Sequence, residues 1–189
     1  MKELDEIKSR VAGMSKLGLK MWKETHSAFL EHDLGILSGV LEDEVKLNAL
    51  EKDLTTALVE LGRTKLSKQD KAEALAYTDV VADLELIGDY CKDILERVQI
   101  KIEEKLLFSE DAVKEYEELY RKAEMALSEI TLALDKDKPG LVKKVLKGEG
   151  HIDRMVDEYR RRHNQRLLDG ICSPLAGNMF LNMLDFTAA

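Results

Sequence analysis

Proline is nearly missing from this chain, with two residues among 189, so helices can run long without interruption. Cysteine is equally scarce. Cys91 and Cys172 are too few for a disulfide framework or a zinc knuckle, which points to a reducing, cytoplasmic compartment. Aromatic residues make up only 5% of the chain, so the core must be built from Leu, Ile, Val, Ala and Met. No apolar run approaches the roughly eighteen residues that a membrane-spanning helix needs. The opening Met1-Lys2-Glu3-Leu4-Asp5-Glu6 lacks the apolar stretch of a secretory signal. There is no excess of basic charge: the net charge of -8 repels nucleic acid. A glycine-rich phosphate loop is absent. So is the Glu-x-x-His pattern of di-iron bundles, because Lys23, Phe29, Gly148 and Arg160 stand three residues before the four histidines. Cys91 falls on an apolar stripe and Cys172 in a turn with no base beside it, so nothing points to nucleophilic catalysis, and no enzyme is expected.

What the chain has is amphipathic helix. Apolar residues are 44% and charged residues 35%, a balance that predicts an all-α fold. Ile7, Val11, Met14, Leu17 and Met21 place a first helix over about Lys2 to Glu31. Gly13 and Gly18 inside it imply close helix approach. Asp33 is read as the cap of a second helix, with a stripe through Val40, Leu47, Leu54, Leu58 and Leu61 and with Gly62 as its C-cap. Ser67 and Asp70 form a capping box for a third helix reaching about Leu107. Ser109 caps a fourth helix that ends near Leu134, before the turn Asp135-Lys136-Asp137-Lys138-Pro139-Gly140. A fifth runs to about Leu168, closed by Gly170. Ser173-Pro174 opens a sixth, which has barely begun at Ala189. The methionines, Met125 included, are assigned to the core.

The second and fifth helices match at one constant offset. Val40-Leu41 pairs with Val145-Leu146, Glu44 with Glu149, Leu47 with Ile152 and Asn48 with Asp153. The chain therefore reads as two tandem antiparallel three-helix bundles, residues 1–107 and 108–189, the second truncated in its last helix. That truncation predicts an uncovered apolar groove on the fourth and fifth helices, which favours self-association and a homodimer.

The third helix holds the most informative stretch, Asp83-Leu84-Glu85-Leu86-Ile87-Gly88-Asp89. Glu85 and Asp89 stack on one helical face at the margin of the stripe Val81, Leu84, Gly88, Cys91, Leu95 and Val98. A carboxylate pair at the edge of a core is costly unless it is solvated, paired with a cation or metal-bound. Gly88 costs the helix about 1 kcal/mol relative to alanine, so close packing is expected there. Arg160-Arg161-Arg162, with Arg154 and Arg166, is read as ion-pairing with the acidic second and fourth helices; contact with an anionic surface is the alternative.

The Asp83–Asp89 stretch resembles the signature of the PhoU family of phosphate-uptake regulators, and Glu42-Asp43-Glu44 with Asn48-Ala49-Leu50-Glu51 is similar to that family's second-helix acidic segment. Arg162-His163-Asn164-Gln165-Arg166-Leu167, with Gly170, Cys172-Ser173-Pro174 and Ala176-Gly177, resembles the PhoU-like cytosolic tail of bacterial sodium/phosphate cotransporters. The resemblance leaves open whether the chain is such a tail or stands alone. It implies a paired three-helix fold and a regulatory or adaptor role in inorganic phosphate transport. The implied partner is a membrane phosphate transporter or its sensor, reached from the cytoplasm or the inner membrane face. The alternative is a structural self-associating bundle with no metal requirement. The resemblance also implies metal ligands at Glu44, Glu85 and Asp89, with Asn48 in place of the usual acid and Glu149 and Asp153 as a half-site. The ions it implies are iron, magnesium, calcium, zinc or nickel. Leu86 and Tyr90 depart from the family's arginine and histidine.

Overall fold

The computed structural model describes residues 2–138 and 142–189, with side chains described for 2–138 and 150–189. Six α-helices carry the described chain: α1 (Lys2–Glu31), α2 (Leu37–Gly62), α3 (Lys68–Glu103), α4 (Glu110–Asp135), α5 (Val142–Leu168) and α6 (Pro174–Ala188). Among the described residues there is no strand.

Helix α1 follows its apolar spacing, burying Leu4, Ile7, Val11, Met14 and Met21. It ends where His32 takes a left-handed φ of 53°. Gly18 approaches Ile87, but Gly13 faces open space, so no close packing explains that glycine. Asp33 caps a short 3-10 turn, Leu34–Ile36, rather than α2 itself; its carboxylate accepts from the Gly35 N–H at 2.7 Å. Gly62 is not a left-handed cap either. It is the last residue of α2, and the Arg63 N–H closes the helix on the carbonyls of Glu60 and Leu61.

Ser67 forms the reciprocal cap of α3, accepting from the Asp70 N–H at 3.1 Å and donating to its carboxylate at 2.8 Å. This helix stops at Glu103, short of Leu107, because Lys105 turns left-handed at φ 53° and the Leu106 N–H bonds back to the Lys101 carbonyl at 2.9 Å. Ser109 caps α4 and Ser173 caps α6, whose first residue is Pro174. Gly170, at φ 71°, closes α5 through its N–H to the Leu167 carbonyl. Pro139 and Gly140 of the expected turn lie outside the described residues.

Helices α1, α2 and α3 pack on one another, as do α4, α5 and α6, and the bundles join along α1–α4 and α3–α6. Leu37 opens α2 and Val142 opens α5, the same offset as the internal repeat. The scarce aromatics are concentrated at the seam. Tyr120 stacks between Trp22 and His26 with centroids at 4.6 and 4.7 Å, and its hydroxyl donates to the Trp22 carbonyl at 2.7 Å. Phe29 meets Tyr116 edge-on at 4.7 Å, and Ser15 bonds Thr131 at 2.7 Å. A buried polar pair with both members satisfied fixes register without a desolvation penalty.

The two third helices differ in length: α3 has 36 residues and α6 has 15. Past the end of α6 lies a groove of about 400 Å³ between Leu127, Ile130 and Ile152 on one side and Leu86 and Ile87 on the other. Met14, Met21, Met155, Met179 and Met183 are buried as expected. Met125 is not: it is 62% exposed on α4.

Candidate functional site

The site is built where α2 and α3 run side by side. Leu47 on α2 and Gly88 on α3 set the distance between them. A Cβ added to Gly88 would lie inside the contact radius of Leu47 Cδ2, with Met21 Cε at 3.6 Å. Leu47 and Met21 are both fully buried, so the absence of a side chain at Gly88 is what lets the helices close. That contact brings the margins of both apolar stripes together, and both margins are acidic.

Glu44, Asn48 and Glu51 follow one another along α2 at helical spacing. Across from them stand Glu85 and Asp89 on α3. The Glu85 carboxyl is pushed above its ordinary value, first by burial, then by the negative charges of Asp89, Glu51 and Glu44; Lys52 pulls the other way. Glu44, only 7% exposed, already has two partners. The Asn48 amide donates to it at 3.0 Å, and the Lys92 ammonium sits 3.6 Å away. Asn48 Oδ1 is buried without a hydrogen-bond partner.

The structure thus brings Glu44, Glu85 and Asp89 onto one charged face, with Asn48 tied to Glu44. Among the described residues, however, no three His, Cys, Asp or Glu side chains gather closely enough to hold a metal ion. The oxygen-only donors would suit magnesium, calcium or ferric iron better than zinc or nickel. With Glu44 occupied by a lysine and an amide, the residues do not fit a resident metal centre. The second half-site is further from one. Asp153 is exposed on α5, and the Glu149 side chain lies outside the described residues.

Two features escaped the sequence reading. Asp43, 4% exposed, is buried beside Glu44 and is held by Lys20 at 2.5 Å and Lys46 at 2.7 Å. Those two ammonium groups, Lys20 first, keep its carboxyl below the ordinary range. A signal was present, since positions 43 and 44 are three and four residues after the buried Val40. The second is Glu115 on α4, which receives Arg166 through two hydrogen bonds, at 3.2 and 2.6 Å, and Arg162 at 3.4 Å. Arg160 pairs with Asp185 of α6, and Arg162 also with Glu158. The arginine cluster is therefore paired with α4, as expected, but also with α5 and α6. Among the described residues its ion pairs do not reach α2.

Residues 11–98, from within α1 to near the end of α3, match the PhoU domain family. The matched stretch runs through most of the first bundle. The acidic face just described lies wholly within it. The crystal structure of PhoU from Pseudomonas aeruginosa has the same fold, with a TM-score of 0.87 at 21% identity. The match covers 99% of this chain and 90% of that one, so both bundles follow the PhoU arrangement. No curated protein sequence matches this chain significantly. Among the described residues no helix is long and apolar enough to cross a membrane.

Proposed function

We propose that this protein is a non-enzymatic regulator of inorganic phosphate transport that acts by docking helix faces onto a membrane phosphate transporter or its associated sensor. The single observation that carries this reading is the match of residues 11–98 to the PhoU domain family. The acidic face of α2 and α3 supports it. Glu51, Glu85 and Asp89 concentrate negative charge that the neighbouring lysines offset only in part, which suits a basic partner surface. Magnesium or calcium screens this face in exchange with solvent and is not a resident cofactor. The work is done in the cytoplasm, at the inner face of the membrane.

Deletion in the source organism tests the reading. Loss of the protein should alter phosphate uptake or its repression by external phosphate, and Glu85→Lys with Asp89→Lys should fail to restore it while remaining folded. Unchanged uptake and unchanged regulation after deletion would reject the proposal. The apolar groove beyond α6 favours a second reading, a self-associating helical scaffold. A metal-independent dimer by light scattering, together with normal phosphate regulation in the deletion strain, would select it.

A further inference from the structure

Lys101 lies near the end of α3 and is 7% exposed. Its ammonium lies 2.6 Å from His32 Nε2 and sits over the rings of Phe29 and Phe108, at 5.6 and 5.5 Å from their centroids. Among the described residues no carboxylate pairs with it. A buried lysine without an acid is unusual, because its charge must be held by weaker partners.

With Lys101 charged, the chemistry of the contact fixes the state of His32. A lysine ammonium can only donate, so His32 Nε2 must carry a lone pair and the imidazole must be neutral. Adding a proton to His32 removes the acceptor and places two cations in contact. His32 itself is exposed, so its imidazolium turns to water and leaves the buried Lys101 ammonium without its acceptor. Phe29 faces the pair from α1 and Phe108 from the α3–α4 connector, and neither titrates. Lys101 is the one charged group that acts on His32, and burial alone acts on Lys101.

The contact also occupies a junction. His32 is the left-handed residue that ends α1, and Lys105 is the left-handed residue just past α3. Phe108 sits on the connector to the second bundle and packs edge-on against Phe180 of α6 at 5.7 Å. Phe29 packs against Tyr116 of α4. One hydrogen bond therefore ties the end of α1 to the last turn of α3, just before the segment that links the two bundles.

The geometry points to the His32–Lys101 contact as a proton-operated latch between the end of α1 and the last turn of α3, beside the inter-bundle connector. It is closed while His32 is neutral and opens when His32 is protonated. Burial and Lys101 both lower the His32 pKa, so the latch is closed at neutral pH and lost as the pH falls through that lowered value, below the ordinary 6.5. This inference does not depend on the phosphate reading.

The test combines histidine NMR titration with amide hydrogen exchange, corrected for intrinsic rates, on the full chain and on Lys101→Met and His32→Gln. Glutamine keeps an acceptor that does not titrate, and methionine fills the lysine's apolar volume without its charge. In the unmodified protein, protection of amides 104–106, which bond back to the last turn of α3, should fall about tenfold for each pH unit below the His32 transition. In His32→Gln it should stay flat, and in Lys101→Met the His32 pKa should rise toward 6.5. Equal loss of protection in His32→Gln would overturn the proposal and assign the response to His26 or His163. An unchanged His32 pKa in Lys101→Met would overturn it as well.

Discussion

Gly88→Ala isolates the packing that brings the acidic margins together. In an open helix the change would stabilise by about 1 kcal/mol, because alanine loses less chain entropy. Here the new Cβ meets the tip of Leu47, with Met21 close behind. Both side chains are 0% exposed, so neither can swing into solvent to make room. Overpacking of this kind costs about 1–3 kcal/mol, and the closed surroundings place it in the upper part of that range. The expected net result is a loss of about 1–2 kcal/mol, or about 3–6 °C in melting temperature for a chain of this size. Gly13→Ala is the internal control. Nothing lies within 4 Å of its added Cβ, so the same substitution should stabilise by about 0.5–1 kcal/mol. Urea and thermal unfolding followed by circular dichroism would measure both. A third variant tests the contact itself. Leu47→Ala should cost less in the Gly88→Ala background than alone, because the new methyl fills part of the space vacated by the leucine. If Gly88→Ala melts at or above the unmodified protein, or if Gly13→Ala falls as far, the account of the α2–α3 spacing is wrong.

Glu115→Ala should destabilise by about 3 kcal/mol or more, since it leaves the 9%-exposed Arg166 without its bidentate partner; hydrogen exchange should locate the loss first in α5 and α6. Glu85→Gln should raise the urea midpoint at neutral pH, because a carboxyl held above its ordinary pKa favours the folded state only when protonated; a lower midpoint at pH 7 would contradict the crowding of Glu85 by its acidic neighbours. Elemental analysis should find no stoichiometric iron, zinc or nickel in the purified protein, and added magnesium should stabilise the unmodified chain more than Glu85→Gln. Burial lowers the pKa of His26, His32 and His163, so each contributes stability that is full above pH 6.5 and declines as the pH falls through its folded value. His163→Phe, which keeps the stack on Phe180, should flatten part of that acid loss in a pH series of melts.

The amino-acid sequence alone determined the helices, because their causes are local. Capping serines at 67, 109 and 173, the proline at 174 and the glycine at 170 sit beside the segments they terminate, and the apolar spacing of each helix is readable within it. The internal repeat and the Asp83–Asp89 stretch were legible for the same reason, and the unusual Gly88 announced a close contact before its partner was known. What tertiary structure decided is everything that depends on which face meets which. Gly13 and Gly88 look alike in sequence, yet only Gly88 has a buried leucine opposite. Met125 has the residue type of a core filler but points outward. Among the acids, spacing could place Glu44, Glu85 and Asp89 on helix faces, but not show that Lys92 and Asn48 would already occupy Glu44. Lys101 and His32 were silent in the sequence because neither belongs to a motif; only the meeting of two helix ends puts the buried Lys101 ammonium 2.6 Å from an acceptor on the exposed His32. Propensity and capping act within one turn of chain, whereas charge pairing and burial are set by neighbours that folding alone brings together.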